Sequence, residues 1–206
     1  MNKLLLLIIL TLALSPTATW AQSGHEYSPL VEKTVNYKSW SLVGLKTDKP
    51  EDLRSLIVGK KLVMVVYFAP WCGNWRNEAP IAAKLYEKYK DQGFQVIGVS
   101  EYASRDDVRK YFGETGPPYP IVTESESRDD KQKTPHYGYR QLTGDGRNWG
   151  SPWNIFLEPS KLNATGDLLT EKAWVVNGEL IEDEVDKFIG SKVAAIAAGV
   201  IEPCKN

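Results

Sequence analysis

The chain contains 206 residues, of which 42% are apolar and 25% are charged, and its net charge at pH 7 is −1. These proportions are typical of one globular domain that is large enough to bury a full hydrophobic core. Because positive and negative side chains are interspersed, the composition does not indicate a nucleic-acid partner or an anionic membrane.

The first 21 residues have the pattern of a secretory signal peptide. A short basic start that contains Lys3 is followed by an apolar run over Leu4–Leu14 and by small residues up to Ala21. The apolar run is shorter than the roughly 20 residues that span a bilayer. We therefore predict cleavage after Ala21 rather than retention as a membrane anchor. The protein is then expected to be exported, periplasmic or extracellular, without a stable membrane span after cleavage.

The next segment leads into the domain. Residues 22–39 are polar and lack a hydrophobic period, which predicts an extended lead-in. The alternation over Trp40–Leu45 predicts an edge strand, and a short helical turn is expected to start at Lys49. Leu62–Phe68 is an unbroken apolar and β-branched run, the pattern of a strand buried on both faces.

Cys72 lies in the turn between this central strand and a helix predicted over residues 74–92. Apolar residues recur four apart in that helix, at Ile81, Leu85 and Tyr89, and Pro80 within it predicts a kink. At the start of a helix, free N–H groups and the positive end of the dipole stabilise an ionised thiol. This position favours a reactive thiol over an inert buried one.

Residues 94–150 predict two more strands, a helix and a polar insert. A buried strand is expected over Phe94–Ser100, a short helix between the N-cap Ser104 and Gly113, and a strand over Tyr119–Thr123. Residues 124–150 are polar and rich in turn formers, so we interpret them as a surface insert or as a lid beside the site. His136 in this insert is expected to be a solvated loop histidine. As part of a lid it could instead act as an acid or base for Cys72.

The C-terminal part predicts an antiparallel pair of strands and a closing helix. Strands are expected over Trp153–Glu158 and Lys172–Val176, a helix over Ile181–Ile189, and a separate short helix over Lys192–Ile201. This order predicts an α/β fold with a central mixed β-sheet flanked by helices. We place the domain at residues 40–190 and a C-terminal extension at residues 191–206.

The motif around Cys72 resembles the active site of the thioredoxin-like superfamily. Residues 68–73, Phe-Ala-Pro-Trp-Cys-Gly, are similar to the active-site strand of thioredoxins, and residues 76–80, Arg-Asn-Glu-Ala-Pro, resemble the TlpA-like branch of the redoxin (AhpC/TSA) group. Members carry a second cysteine three residues after the first, where this chain has Trp75. The resemblance covers residues 40–190 and implies a thioredoxin-like fold. It also implies a thiol that attacks disulfides without a local thiol that resolves the mixed disulfide.

The resemblance also implies the residues of the site. Cys72 is then the catalytic thiol, and Glu78 matches a glutamate associated with proton transfer at the active-site thiols. With Trp75 in place of the second thiol, a partly solvated helix carboxylate is an equal alternative for Glu78. Ser151–Pro152 matches a cis-proline loop that faces the cysteine and pairs with an extended substrate segment; an ordinary trans proline at a strand start is the alternative. The implied substrate-binding residues are Trp71, Gly73, Trp75, Ser151, Pro152 and Trp153, and no metal or cofactor is implied.

Three functions remain compatible with the sequence. The first is thiol–disulfide exchange through Cys72, with the mixed disulfide resolved by an external thiol. The second is a non-catalytic binding module, in which Trp71, Trp75 and Trp153 form an aromatic surface for an apolar peptide. The third is peroxide reduction through a sulfenic acid. It is disfavoured because the peroxiredoxin pattern has Pro and Thr or Ser at fixed spacing before its cysteine, whereas Tyr67, Ala69 and Trp71 fill that stretch here.

The expected partner is a protein that carries a disulfide or sulfenate, or a low-molecular-weight thiol. The sequence does not indicate an oligomeric state. The closing helix is expected to start near the active-site edge and to end on the far side of the sheet. The segment after Gly190 could turn back, but about ten helical residues cover only about 15 Å. Cys204 is therefore expected on the far side of the sheet from Cys72. A disulfide needs Cα atoms within about 7 Å, so we predict two free thiols or an intermolecular bond through Cys204.

Overall fold

The fold is described from a computed structural model for residues 24–197. The predicted signal peptide and the prediction on Cys204 lie outside these residues. The strands in this range are β1 (Tyr27–Ser28), β2 (Val31–Thr34), β3 (Ser41–Gly44), β4 (Pro50–Asp52), β5 (Leu62–Phe68), β6 (Phe94–Ser100), β7 (Ile121–Thr123), β8 (Trp153–Leu157), β9 (Lys172–Val176) and β10 (Glu179–Leu180). The α-helices are α1 (Leu53–Leu56), α2 (Gly73–Tyr89), α3 (Arg105–Phe112), α4 (Pro135–Thr143) and α5 (Glu182–Ala197).

The core of the fold is a mixed sheet with the strand order β2-β9-β8-β5-β6-β7-β3-β4. The central strand β5 is parallel to β6 and antiparallel to β8, and β1 and β10 form a separate short parallel pair. The predicted α/β architecture, a central mixed sheet flanked by helices, is confirmed.

Strand β5 is buried along its whole length because both faces of the sheet are covered. Its side chains alternate between two hydrophobic cores, as the period of a strand requires. One core contains residues of α2 and α5, and the other contains Tyr139 of α4 and Leu53 of α1. Burial of each large apolar side chain contributes about 1.5–3 kcal/mol. The end of β5 is therefore a rigid support for the turn that carries Cys72.

Both edges of the sheet differ from the prediction. The lead-in is extended as expected, but β2 within it pairs with β9 and forms one edge. Strand β3 is not an edge strand, because it lies between β7 and β4. The helical turn expected from Lys49 starts at Leu53, where the Asp52 side chain accepts a hydrogen bond from the Ser55 N–H. These edge strands are short and polar, so hydrophobic alternation does not reveal them.

The polar insert contains helix α4, which the sequence analysis did not predict. Thr134 caps its start by accepting from the Tyr137 N–H, and Gly144 ends it in the left-handed conformation with φ = 80°. His136 lies on the buried side of this helix, stacked on Tyr67 with ring centroids 4.7 Å apart. The expectation of a solvated loop histidine is therefore wrong, since an aromatic helix face covers this side of the sheet.

The closing helix is also longer than predicted. Helix α5 continues through Gly190 and Ser191 instead of breaking there. Gly190 allows the close approach of α2, since a Cβ at this position would lie 3.0 Å from the Tyr89 hydroxyl. That hydroxyl donates to the Asp186 carboxylate at 3.1 Å. Gly190, from which a helix end was predicted, therefore allows α5 to pack closely against α2.

Candidate functional site

Cys72 begins helix α2 at the carboxyl end of the central strand. It is the N-cap residue, with extended backbone angles φ = −75° and ψ = 129°. Its N–H donates to the Ala69 carbonyl at 2.9 Å, and its own carbonyl accepts from the Arg76 N–H at 3.2 Å. The side chain is partly exposed. The structure thus places the thiol at the helix start, as the sequence analysis expects.

The loop that faces the thiol contains a cis peptide bond between Ser151 and Pro152. The Cys72 Sγ–H donates to the Ser151 carbonyl oxygen at 3.1 Å, and the Ser151 hydroxyl accepts from the Ala69 N–H at 2.8 Å. The loop is therefore hydrogen-bonded to both ends of the Cys72 turn. Both Ser151 and Pro152 are buried, so this loop exposes little surface to a substrate.

Only part of the expected aromatic surface exists. Trp71 is partly exposed, and its ring is fixed by a hydrogen bond from Nε1 to the Tyr102 carbonyl at 3.1 Å and by an edge contact with Trp149 at 5.1 Å. Gly73 is exposed. Trp75 and Trp153, in contrast, have no exposed area.

The inclusion of Trp75 and Trp153 in a binding surface is therefore wrong. Trp75 lies on the inner side of α2 and stacks on Phe68 at 4.4 Å. Trp153 starts the buried strand β8, and its Nε1 donates to Asn177 Oδ1 at 2.9 Å. Position 75, where the sequence resemblance implies a second cysteine, is used for core packing.

Glu78 is a fully buried carboxyl group rather than a partly solvated one. Its Oε2 accepts from the Leu180 N–H at 2.9 Å and from Asn154 Nδ2 at 3.3 Å. Burial raises the pKa of Glu78 to about 8, against the opposing effect of these two hydrogen bonds. The group therefore carries a proton at neutral pH, on the buried face of the helix that begins at Cys72.

His136 does not serve the thiol. Its backbone N–H donates to Glu124 Oε2 at 3.1 Å, and its Nδ1 lies 3.4 Å from the Tyr102 hydroxyl. Burial, followed by the nearby positive charge of Arg140, holds the pKa of His136 well below its ordinary value, so the ring is neutral. Within residues 24–197, no histidine or carboxylate hydrogen-bonds to the sulfur, whose partner is the Ser151 carbonyl.

The insert reaches the site through Arg147 and Trp149, which the sequence analysis missed. Arg147 donates to the Pro152 carbonyl at 2.7 Å and to Asp145 Oδ2 at 2.8 Å. Its Nη1 also lies 3.3 Å from the Glu26 carboxylate. The only sequence signal for these contacts is the position of Arg147 and Trp149 directly before the Ser151–Pro152 pair.

The N-terminal segment crosses the first turns of α2. Glu26 accepts from Asn74 Nδ2 at 2.6 Å, and His25 Nδ1 lies 3.2 Å from Asn77 Nδ2. Because Glu26 also pairs with Arg147, one carboxylate connects the helix of Cys72 to the cis-proline loop. This connection is not visible from the sequence, because it joins three distant polar segments.

A thiol that faces a cis-proline loop at the carboxyl end of a central strand is the arrangement of the thioredoxin-like class. The sequence agrees with this classification. The Redoxin family model matches residues 38–152, more than half of the chain, and the chain belongs to this family.

Solved structures share the fold. A thiol:disulfide interchange protein from Bacteroides sp. has a TM-score of 0.55 at 22% identity, and the match covers 82% of this chain and 95% of that one. A thioredoxin family thiol:disulfide interchange protein from Chlorobium tepidum has a TM-score of 0.53 at 23% identity. The match covers 78% of this chain and 97% of that chain. These identities show a common fold.

A curated relative matches over a shorter stretch. Thioredoxin-2 from Saccharomyces cerevisiae is 43% identical over 47 residues, which are 23% of this chain and 45% of that protein. The matched stretch thus spans less than half the length of this relative. Among residues 24–197, no helix is both long and apolar enough to cross a membrane.

Proposed function

We propose that this protein is an exported thiol–disulfide exchange protein that uses the single thiol of Cys72. The observation that carries the proposal is a partly exposed thiol at the start of α2, hydrogen-bonded to the cis-proline loop at 3.1 Å. Export is proposed from the signal-peptide pattern of residues 1–21.

The reaction proceeds in three exchanges. The Cys72 thiolate attacks one sulfur of a substrate disulfide, a bond forms between these sulfurs, and the other substrate sulfur leaves as a thiolate that takes up a proton. A first external thiolate then attacks the Cys72 sulfur of the mixed disulfide, and the second substrate sulfur leaves as a thiolate that takes up a proton. A second external thiolate attacks the external sulfur bonded to Cys72, which forms the external disulfide and releases Cys72 as a thiolate. The external thiols are oxidised and the substrate disulfide is reduced.

The external thiol is required because position 75 has no sulfur. Trp75 is fully buried against Phe68, and the remaining cysteine of the sequence, Cys204, is far along the chain. For Glu78 we propose a role in proton transfer behind Cys72. The proposal is supported by its burial and by its pKa of about 8, which keep a proton available at neutral pH.

The experiment is reduction of insulin disulfides by glutathione or dithiothreitol with the full-length protein. We expect catalysis by the wild type and by Cys204→Ser, and none by Cys72→Ser. Mass spectrometry of the protein quenched during turnover should show a mixed disulfide on Cys72. Equal turnover by Cys72→Ser would contradict the proposal.

A second candidate is a thioredoxin-fold module that binds a peptide without catalysis. It is favoured because the thiol donates to the Ser151 carbonyl, which is not a titratable base. Within the described part of the chain, no other group hydrogen-bonds to the sulfur to take its proton. In that case peptide binding would persist in Cys72→Ser, and the wild type would not reduce insulin.

A further inference from the structure

A polar groove of about 580 Å³ lies beside Trp71. Its walls come from the turn before Cys72, from helices α2 and α3, and from the insert. The residues that matter for its chemistry are Trp71, Arg76, Asp107, Lys110, Glu126 and Arg128. The volume lies in the range of sites for small molecules.

The groove carries three cationic side chains. Arg76, Lys110 and Arg128 are exposed, and none of them forms an ion pair with a carboxylate of residues 24–197. Arg128 lies over the Trp71 ring at 4.1 Å from its centroid, which places its charge at the wall nearest the thiol turn.

The two carboxylates of the groove already have partners. Asp107 accepts from the Ser104 hydroxyl at 2.7 Å, and Glu126 pairs with Arg105 at 3.1 Å. The groove therefore has a net positive charge, since three cations line it against two carboxylates, one of which is paired with Arg105 outside the lining.

The groove adjoins the turn that carries the thiol, although Cys72 itself does not line it. Trp71 directly precedes Cys72, and Arg76 lies one helical turn after it on the same face of α2. A molecule bonded to the Cys72 sulfur can thus extend past Trp71 towards these cations.

We infer that this groove binds the carboxylates of a low-molecular-weight peptide thiol of the glutathione type. This inference rests on the proposed exchange function and names the external thiol in it. The bound thiolate attacks the Cys72 sulfur of the mixed disulfide, and the second substrate sulfur leaves as a thiolate and takes up a proton. The peptide thiol is then disulfide-bonded to Cys72 with its carboxylates in the groove. A second peptide thiolate attacks the first peptide's sulfur, which forms the peptide disulfide and releases Cys72. Two thiols thus supply the two electrons for each disulfide reduced.

The test compares glutathione with its monoethyl ester, which has the same thiol and one carboxylate fewer. Full-length Cys204→Ser protein is converted to a mixed disulfide of Cys72 with 2-thiopyridine, a neutral leaving group. The rate constants for release of the chromophore by both thiols are measured at low salt. The rate constant with glutathione is divided by the rate constant with the ester. This ratio is then divided by the same ratio measured for a small pyridyl disulfide in solution.

We expect a normalised ratio of about ten for the Cys204→Ser protein with its groove unchanged, because a cationic cleft raises the local concentration of an anion. The ratio should fall towards one in Lys110→Gln/Arg128→Gln and at high salt. Lys187→Gln, which removes the same kind of charge from the exposed side of α5, should retain the wild-type ratio. Equal thermal unfolding midpoints would show that the variants are folded.

A normalised ratio near one without any substitution, or a ratio that the double substitution leaves unchanged, would overturn the inference and leave exchange at Cys72 intact. If neither thiol releases 2-thiopyridine, the proposed exchange function fails as well.

Discussion

The buried carboxyl group of Glu78 has a predictable effect on stability, and Glu78→Gln tests it. Glu78 binds its proton with a pKa of about 8 in the folded protein, compared with an ordinary value of 4.5. The folded state therefore holds more protons than the unfolded state between these values, and its stability falls as the pH rises through this interval. At about 1.36 kcal/mol per pKa unit, the loss has an upper bound of about 5 kcal/mol. A glutamine is neutral at every pH and can still accept from the Leu180 N–H, so the variant should not show this loss.

Urea unfolding at pH 5, 6, 7 and 8 with a reductant present provides the measurement. The stability of Glu78→Gln relative to the wild type should increase with pH, by about 2–4 kcal/mol between pH 5 and pH 8. Glu114→Gln, an exposed glutamate, is the control and should follow the wild type. A constant difference between Glu78→Gln and the wild type would show that Glu78 is ionised in the folded protein over this pH range, which would refute the raised pKa.

Three further predictions concern the surroundings of the thiol. Trp75→Cys should lower stability by about 3–5 kcal/mol, because a fully buried aromatic side chain is lost. It should also form a disulfide with Cys72 and gain insulin turnover relative to Trp75→Ala; a disulfide without turnover would favour the binding module. Arg147→Met should lower stability by about 1–3 kcal/mol and slow insulin reduction, because Asp145 and the Pro152 carbonyl lose a donor; unchanged urea unfolding and turnover would contradict this. His136 is neutral when folded and takes up a proton when unfolded below its ordinary pKa of 6.5, so stability falls as the pH drops below that value. His136→Leu should remove this loss of stability between pH 7 and pH 5. An unaltered pH dependence of unfolding in the variant would show that His136 does not cause the loss.

The parts of the fold that follow from hydrophobic pattern could be predicted from the sequence. Leu62–Phe68 and Phe94–Ser100 agree with the strands of the structure residue for residue, because strands buried on both faces have continuous apolar runs. The cap of α3 at Ser104 was also predictable, since a hydroxyl there accepts from the Asp107 N–H. In these regions local sequence and tertiary structure agree.

The site could be predicted only where a local motif specifies it. Cys72 and the cis bond at Pro152 follow from the motif and its order along the chain. The burial of Trp75 and the position of His136 do not, because both depend on which side of a helix faces the sheet. The groove cations were missed for a similar reason, since Arg128 reaches Trp71 only through the tertiary structure.

The carboxylate of Glu26 has a consequence for how the domain is delimited. The family match begins at residue 38, yet Glu26 links Asn74 to Arg147, and β2 covers the edge of β9. A shortened protein that starts at the family boundary would therefore expose β9 to pairing with other molecules and would lose the Glu26 link between the Cys72 helix and the loop opposite it. The residues that complete the site and cover the sheet edge therefore extend beyond the family match, as far as Glu26 before β1.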